Sequence, residues 1–81
     1  MSDVNPKIVR GLSEDAVFDV ARSPEQKLAV RRGREVRQSR ISMPENGTLY
    51  LVRVVVDSDS AGDTVVTVYR TSKIDKYWSN P

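Results

Sequence analysis

Arginine, lysine and tyrosine are the side chains with which this sequence could do chemistry, because it contains no histidine and no cysteine. The absence of cysteine excludes thiol catalysis, disulfides and Cys-ligated zinc, and the absence of histidine removes the commonest general base. No serine stands in a Gly-x-Ser-x-Gly setting, and the scattered glycines form no phosphate-binding loop. A reaction whose nucleophile belongs to the substrate stays open, such as RNA cleavage by its own 2′-hydroxyl. Such cleavage needs positive charge at the phosphate and a group that moves protons.

The first candidate cluster is a set of arginines on the predicted strands. Arg53 lies in the middle of the clearest strand pattern, and the neighbouring patterns carry Arg37, Arg40 and Arg70. An arginine in a central strand is costly unless its face is solvated or binds an anion. Guanidinium groups bind phosphate bidentately, which favours a nucleic-acid contact. The alternative is a solvated sheet face whose charges prevent aggregation.

The second candidate cluster lies near the C-terminus and consists of Thr71, Ser72, Lys73, Lys76 and Tyr77. Lys73 and Tyr77 are four residues apart, so on a helical turn they lie side by side and the pair could assist proton transfer. The alternative is that Tyr77 packs next to Trp78 while the lysines are solvated. We expect no metal and no cofactor, since the sequence has no clustered acidic motif.

A short N-terminal helix is the first element that must position these residues. Ser13 is a suitable N-cap, the next two residues are acidic, and Pro24 ends the helical pattern. The apolar stripe at helical spacing consists of Ala16, Val17, Val20 and Ala21. Two to three turns are too short to be stable alone, so we expect this helix to pack against a sheet.

The sheet is predicted to have three or four antiparallel strands. Leu49 to Val56 is the clearest strand, and Arg53 lies on the face opposite Tyr50 and the alternating valines. Thr64 to Tyr69 is β-branched and predicts the next strand. The strongly polar segment Val36 to Ile41 is predicted as an outer strand, where a second copy of the chain could pair.

Turns and connections complete the predicted topology. Residues 44–47 include Asn-Gly, which is a strong hairpin signal, and residues 57–63 are read as a loop. Residues 26–31 could add a fourth strand. The tail is expected to dock as a turn or short helix, because Ile74 and Trp78 are four apart and a tryptophan is rarely left loose.

The composition is that of one small α+β domain spanning residues 1–81. The chain is 38% hydrophobic and 30% charged with a net charge of +2, as in folded domains. No apolar run approaches the roughly 20 residues of a membrane span, and the N-terminus has no signal-peptide pattern. We therefore expect a cytoplasmic protein without membrane contact, and a homodimer is one way for so short a chain to bury more surface.

Three segments resemble the family called domain of unknown function 4258. The stretch "RGLSEDAVFDVARSPE" (Arg10 to Glu25) is similar to that family's helix, and "RRGREVRQSRI" (Arg31 to Ile41) to its first strands. The run Leu49 to Trp78, with "YLVRVVVD" and then "VVTVYRTSKIDKYW", is similar to the family's C-terminal half, and its most specific part is "TVYRTSKIDKYW" (Thr67 to Trp78). That family resembles toxin domains of the barnase–EndoU–colicin–RelE group, in which a helix or two precede a four-stranded antiparallel sheet. The resemblance implies a RelE-like fold and a toxin-like, RNA-directed domain.

The resemblance also implies roles for individual residues. Arg53, Thr71, Ser72 and Lys73 match the family pattern, whereas the histidine that members usually carry before the "RG-hydrophobic-S" turn is missing. One hypothesis is a histidine-free ribonuclease with Arg53, Lys73 and Tyr77 as catalytic residues. The alternative is a catalytically degenerate module that binds nucleic acid or a partner protein, for example an antitoxin. If RNA is bound, we expect contacts mainly to phosphate, because aromatic residues for base stacking are few.

Overall fold

The computed structural model describes residues 12–43 and 46–79, and it confirms a small α+β fold. One helix, α1 (Glu14–Arg22), precedes a four-stranded antiparallel sheet in the order β1-β2-β3-β4. The strands are β1 (Gln26–Arg31), β2 (Arg34–Ser42), β3 (Leu49–Asp59) and β4 (Gly62–Thr71), and the short helix α2 (Ile74–Tyr77) follows. Arg10 and Gly11 of the "RG-hydrophobic-S" turn, and Pro44 and Glu45 of the predicted hairpin turn, lie outside the described residues.

Helix α1 forms where its capping signals predict. The Ser13 hydroxyl accepts a hydrogen bond from the Ala16 backbone N–H at 3.1 Å, so the N-cap is satisfied, and the helix ends two residues before Pro24. Val17 and Val20 are buried against the sheet. Together with Met43 and three alternating β3 valines (Val52, Val54 and Val56), they form the main hydrophobic core. We call this side of the sheet the helix face.

The opposite side of the sheet carries α2 and the residues that follow it, and we call it the tail face. Leu51 lies on this face and is fully buried although it is outside the main core. Trp78 donates its backbone N–H to the Ile74 carbonyl at 2.8 Å, which closes the single turn of α2. The predicted docked tail is therefore confirmed as a short C-terminal helix.

Two predictions about the sheet are wrong. The polar segment Val36 to Ile41 belongs to β2, which pairs with β1 on one side and β3 on the other, so it is an interior strand and not a pairing edge for a second copy. It tolerates this position because its polar side chains bond to neighbouring strands. Gln38, for example, is fully buried and bonds across to both β1 and β3.

The predicted loop over residues 57–63 is instead a tight hairpin. β3 continues to Asp59 and β4 begins at Gly62, so Ser60 and Ala61 alone separate the strands. The polar residues of this stretch are paired, because the Ser58 hydroxyl donates to Asp63 at 2.7 Å. Gly62 has a φ of 124°, a conformation that side chains rarely adopt, and this explains glycine at the turn.

Candidate functional site: an arginine–aromatic cluster on the tail face

Arg53 lies at the centre of the tail face, between Gln38 of β2 and Tyr69 of β4. The register of the sheet places these three side chains in one row, since Arg53 is paired with Gln38 on one side and with Tyr69 on the other. The Arg53 Nε donates to Gln38 Oε1 at 2.8 Å, and its Nη1 donates to the Tyr69 hydroxyl at 2.6 Å. Two edges of the guanidinium are thus fixed by neutral groups, and within residues 12–43 and 46–79 no carboxylate forms an ion pair with it.

Two aromatic rings lie close to the same guanidinium. The Arg53 Cζ is 4.5 Å from the centroid of the Tyr77 ring and 5.7 Å from that of Tyr69. The Lys76 Nζ lies 5.4 Å from the Tyr77 centroid, so two cations contact one ring. Such contacts orient a cation without neutralising it. Arg53 Nη2 has no hydrogen-bond partner among residues 12–43 and 46–79. The arrangement therefore holds a charged group in place with donor capacity left for an anion.

The side-chain amides of Gln26 and Gln38 hold Tyr77 and Ser79 on this face. Gln38 Nε2 donates to Gln26 Oε1 at 2.7 Å and to the Tyr77 carbonyl at 3.2 Å. Gln26 in turn donates from Nε2 to the Ser79 carbonyl at 2.7 Å and accepts from the Ser79 N–H at 3.1 Å. The amides thus connect the edge strand, the centre of the sheet and the tail.

Arg40 is the second arginine of the tail face, and it is both paired and stacked. Its Nε and Nη2 each donate to the Glu25 carboxylate at 3.1 Å, and its backbone N–H donates to the same carboxylate at 2.8 Å. The side-chain hydrogen bond from Arg40 is the main cause that lowers the pKa of Glu25, and it raises the pKa of Arg40. The Arg40 Cζ lies 4.1 Å from the Trp78 ring centroid.

The remaining tail-face residues predicted from the sequence lie around α2. Lys73 is the N-cap residue of α2, and its backbone N–H donates to the Thr71 hydroxyl at 3.1 Å. Lys73, Ser72 and Lys76 are exposed. Lys73 is not among the cations over the Tyr77 ring in the described chain, where Arg53 and Lys76 take that place.

The structure separates Arg37 and Arg70 from this cluster, because both lie on the helix face. The Arg37 side chain is only 13% exposed and bonds to Glu35, Asp63 and the Ala21 carbonyl. The hydrogen bond to Glu35 is the largest cause that raises its pKa. Arg70 lies over the Tyr50 ring, with its Cζ 4.4 Å from the centroid. The predicted binding residues are thus divided between two faces.

The sequence analysis did not assign four residues to the site. These are Gln26, Gln38, Tyr69 and Trp78, the last of which contacts Arg40 through its ring. Tyr69 could have been found from the sheet register, but the register depends on the length of the β3–β4 turn, which was predicted to be a long loop. The glutamines carry no periodic or motif signal that would reveal them.

Other parts of the described chain offer no comparable chemistry. No group of three or more His, Cys, Asp or Glu side chains lies close enough to hold a metal ion within residues 12–43 and 46–79. An open depression of about 240 Å³ lies beside the β1–β2 turn, where Arg31 and Arg32 are accompanied by Asp57 and Asp59. Neither described helix is long and apolar enough to cross a membrane.

Comparison with known proteins does not assign the chain to a family. A scan against protein-family models, a search of curated proteins and a search of solved structures each found no match. The relationship to domain of unknown function 4258 and to the RelE-like toxin domains therefore stays a prediction.

Proposed function

We propose that the tail face binds RNA through its phosphates, with Arg53 at the centre of the site. The observation that carries this proposal is the state of Arg53: neutral partners and an aromatic ring fix its guanidinium, and no carboxylate of the described chain pairs with it. A preorganised arginine loses little conformational entropy when it binds a phosphate. Lys76 lies over the same Tyr77 ring and Lys73 stands at the start of α2; both are exposed and add positive charge to this face.

The choice of RNA as the target follows from the predicted resemblance to toxin domains. This resemblance favours RNA over other polyanions, and it includes Arg53 and Lys73 among the matching positions. The alternative target is a partner protein such as an antitoxin. A protein complex would be held by shape and apolar contacts as well as charge, so its affinity would depend much less on salt than RNA binding does.

Cleavage of the bound RNA is a second candidate function, favoured by the position of Tyr69. Its hydroxyl lies 2.6 Å from Arg53 Nη1, so a group able to carry a proton stands beside the group that would stabilise charge on the phosphorane. Tyr77, which stacks on the same guanidinium, is the other candidate for proton transfer. Both tyrosines compensate for the lack of histidine in this hypothesis.

RNA binding is tested by titrating a labelled single-stranded RNA at several salt concentrations. Replacing two phosphate-binding cations, Arg53→Ala with Lys73→Ala, should weaken binding and lower the slope of log K against log salt by about 1.4, at about 0.7 per contact for single strands. A charge-matched control, Lys27→Ala with Arg32→Ala, removes two exposed cations elsewhere and should keep most of the slope. Equal effects of the two double variants would refute a site at Arg53.

Cleavage is tested by incubating the protein with total RNA and separating the products on a gel. If the chain is a ribonuclease, Tyr69→Phe should lower cleavage far more than RNA affinity, because Arg53 keeps its bond to Gln38 and its contact with the Tyr77 ring while the hydroxyl that would carry the proton is lost. Intact RNA with a salt-dependent mobility shift would identify a binding module. Intact RNA without any shift would exclude the RNA-directed function.

A further inference from the structure

Trp78 and Ser79 occupy a small polar surface of the tail face next to Arg53. The Trp78 indole stacks on the Arg40 guanidinium, and the Ser79 peptide group makes a paired contact with the Gln26 amide, donating at 3.1 Å and accepting at 2.7 Å. The edge of Arg40 is bound by Glu25, which leaves its planar face for the ring. The groups that occupy this surface are thus a flat bicyclic ring, which contacts Arg40, and an adjacent hydrogen-bond donor and acceptor, which bind Gln26.

Adenine has the same chemical features as these two residues. A purine is a flat bicyclic ring, and bases stack on arginine planes in RNA complexes. A glutamine amide binds adenine bidentately, accepting from N6 and donating to N7, whereas guanine presents two acceptors on that edge, so its O6 would face the amide oxygen with no proton between them. The two contacts are made by consecutive residues, the Trp78 ring and the Ser79 peptide group, so they belong to one small surface.

We propose that Arg40 and Gln26 form an adenine subsite, which Trp78 and Ser79 fill while RNA is absent. This inference rests on the proposed RNA binding at Arg53. The subsite is continuous with Arg53, since Gln38 bonds to both Gln26 and Arg53. The base binds to Arg40 and Gln26, and its phosphate lies towards Arg53. Trp78 and Ser79 together act as a competitive plug.

The plug lies outside the main hydrophobic core. Trp78 and Ser79 follow a helix of only four residues, and neither belongs to the hydrophobic cluster between α1 and the sheet. Ser79 is held to the sheet by its two hydrogen bonds with Gln26. We call the form without the plug the open form. Because only this form binds the base, the apparent affinity equals the intrinsic affinity multiplied by the fraction of molecules that are open.

The proposal is tested with Ser79→Pro and Gln26→Ala in the full chain, using labelled 12-mers of adenylate and cytidylate. Trp78 has φ −74° and ψ 129°, which suits a residue before proline, so Ser79→Pro removes the N–H bond to Gln26 with little change in the preceding backbone. One such bond is worth about a fivefold change in the plug's occupancy, so Ser79→Pro should bind oligoadenylate up to about fivefold more tightly. Gln26→Ala should lose the preference for oligoadenylate over oligocytidylate. Circular dichroism confirms that each variant is folded.

Fluorescence of Trp78, the single tryptophan, reports the plug directly. Oligoadenylate should change its emission with the same midpoint as the binding curve. Unchanged or weaker binding by Ser79→Pro, or a Gln26→Ala variant with the wild-type base preference, would overturn the adenine subsite while leaving phosphate binding in place. Absence of binding by both the wild type and Ser79→Pro would instead overturn the proposed function, and the subsite with it.

Discussion

Replacing Gln38 by leucine is the sharpest test of the network that holds Arg53. The Gln38 side chain is fully buried and makes three hydrogen bonds, to Arg53, Gln26 and the Tyr77 carbonyl. Leucine fills a similar volume but leaves all three partners without this contact. The substitution therefore changes hydrogen bonding with little change in packing.

The expected cost follows from those three contacts. The two neutral bonds contribute about 1 kcal/mol each, and the bond to the charged guanidinium about 2 kcal/mol. The apolar gain of leucine offsets about 1.5 kcal/mol, so Gln38→Leu should lower the free energy of unfolding by about 2–3 kcal/mol. A domain of this size has roughly 4–12 kcal/mol in total, and the melting temperature should fall by about 10–20 °C.

Urea unfolding followed by circular dichroism measures this cost. The double variant with Arg53→Met supplies the second half of a mutant cycle, since Arg53→Met removes the same hydrogen bond from the other side. Each single variant loses the Gln38–Arg53 hydrogen bond, and the double variant loses it only once. The stability loss of the double variant should therefore be about 1–3 kcal/mol smaller than the sum of the losses of the two single variants. A cost below about 0.5 kcal/mol for Gln38→Leu, or strict additivity, would refute the network as described.

Three further predictions concern stability. Met43→Ala should lower the free energy of unfolding in urea by about 2–4 kcal/mol, because Met43 is 1% exposed in the core. Val66 is 43% exposed, so Val66→Ala should lower it by under about 0.5 kcal/mol. Similar losses in the two variants would contradict the assigned core. Gly33→Ala should cost about 1–2 kcal/mol in the same assay because Gly33 has a φ of 83°, and an unchanged midpoint would contradict that turn. The hydrogen bond from Arg34 lowers the pKa of Asp57 below 3.8 in the folded chain, so its stabilisation is present above pH 3.8 and lost as the pH falls through the folded pKa. In the Asp57→Asn variant the urea midpoint should therefore depend less on pH in the acid range. If that pH dependence is the same as in the wild type, the Arg34–Asp57 pairing is contradicted.

The sequence was sufficient for the elements that depend on local signals. Helix α1 followed from the Ser13 cap, the apolar stripe and Pro24, and β3 followed from alternation between Leu49 and Val56. These signals act within a few residues, so they can be read without knowing what the segment packs against. Arg53 was singled out in the same way, as a charged residue in the middle of an apolar strand.

Tertiary structure decided where the polar residues of the sheet lie and what they contact. β2 was predicted as an edge because its pattern is polar, and it is central because Gln38 and Arg37 find partners on neighbouring elements. The stretch over residues 57–63 was predicted as a loop because it is rich in Asp, Ser and Gly, and its cross-strand pairs make it a hairpin. Hydrogen bonding between distant segments sets the energy of a buried polar side chain, and a local pattern does not contain that information.

The candidate site shows the same division. The residue types present limited the chemistry to arginine, lysine and tyrosine, because the chain has no histidine or cysteine. Which arginines share a face was fixed only by strand register, which joined Arg53 to Tyr69 and separated Arg37 and Arg70 from them. A shift of one residue in register exchanges the two faces of a strand, so the composition of the site depends on turn length and pairing that the sequence pattern left open.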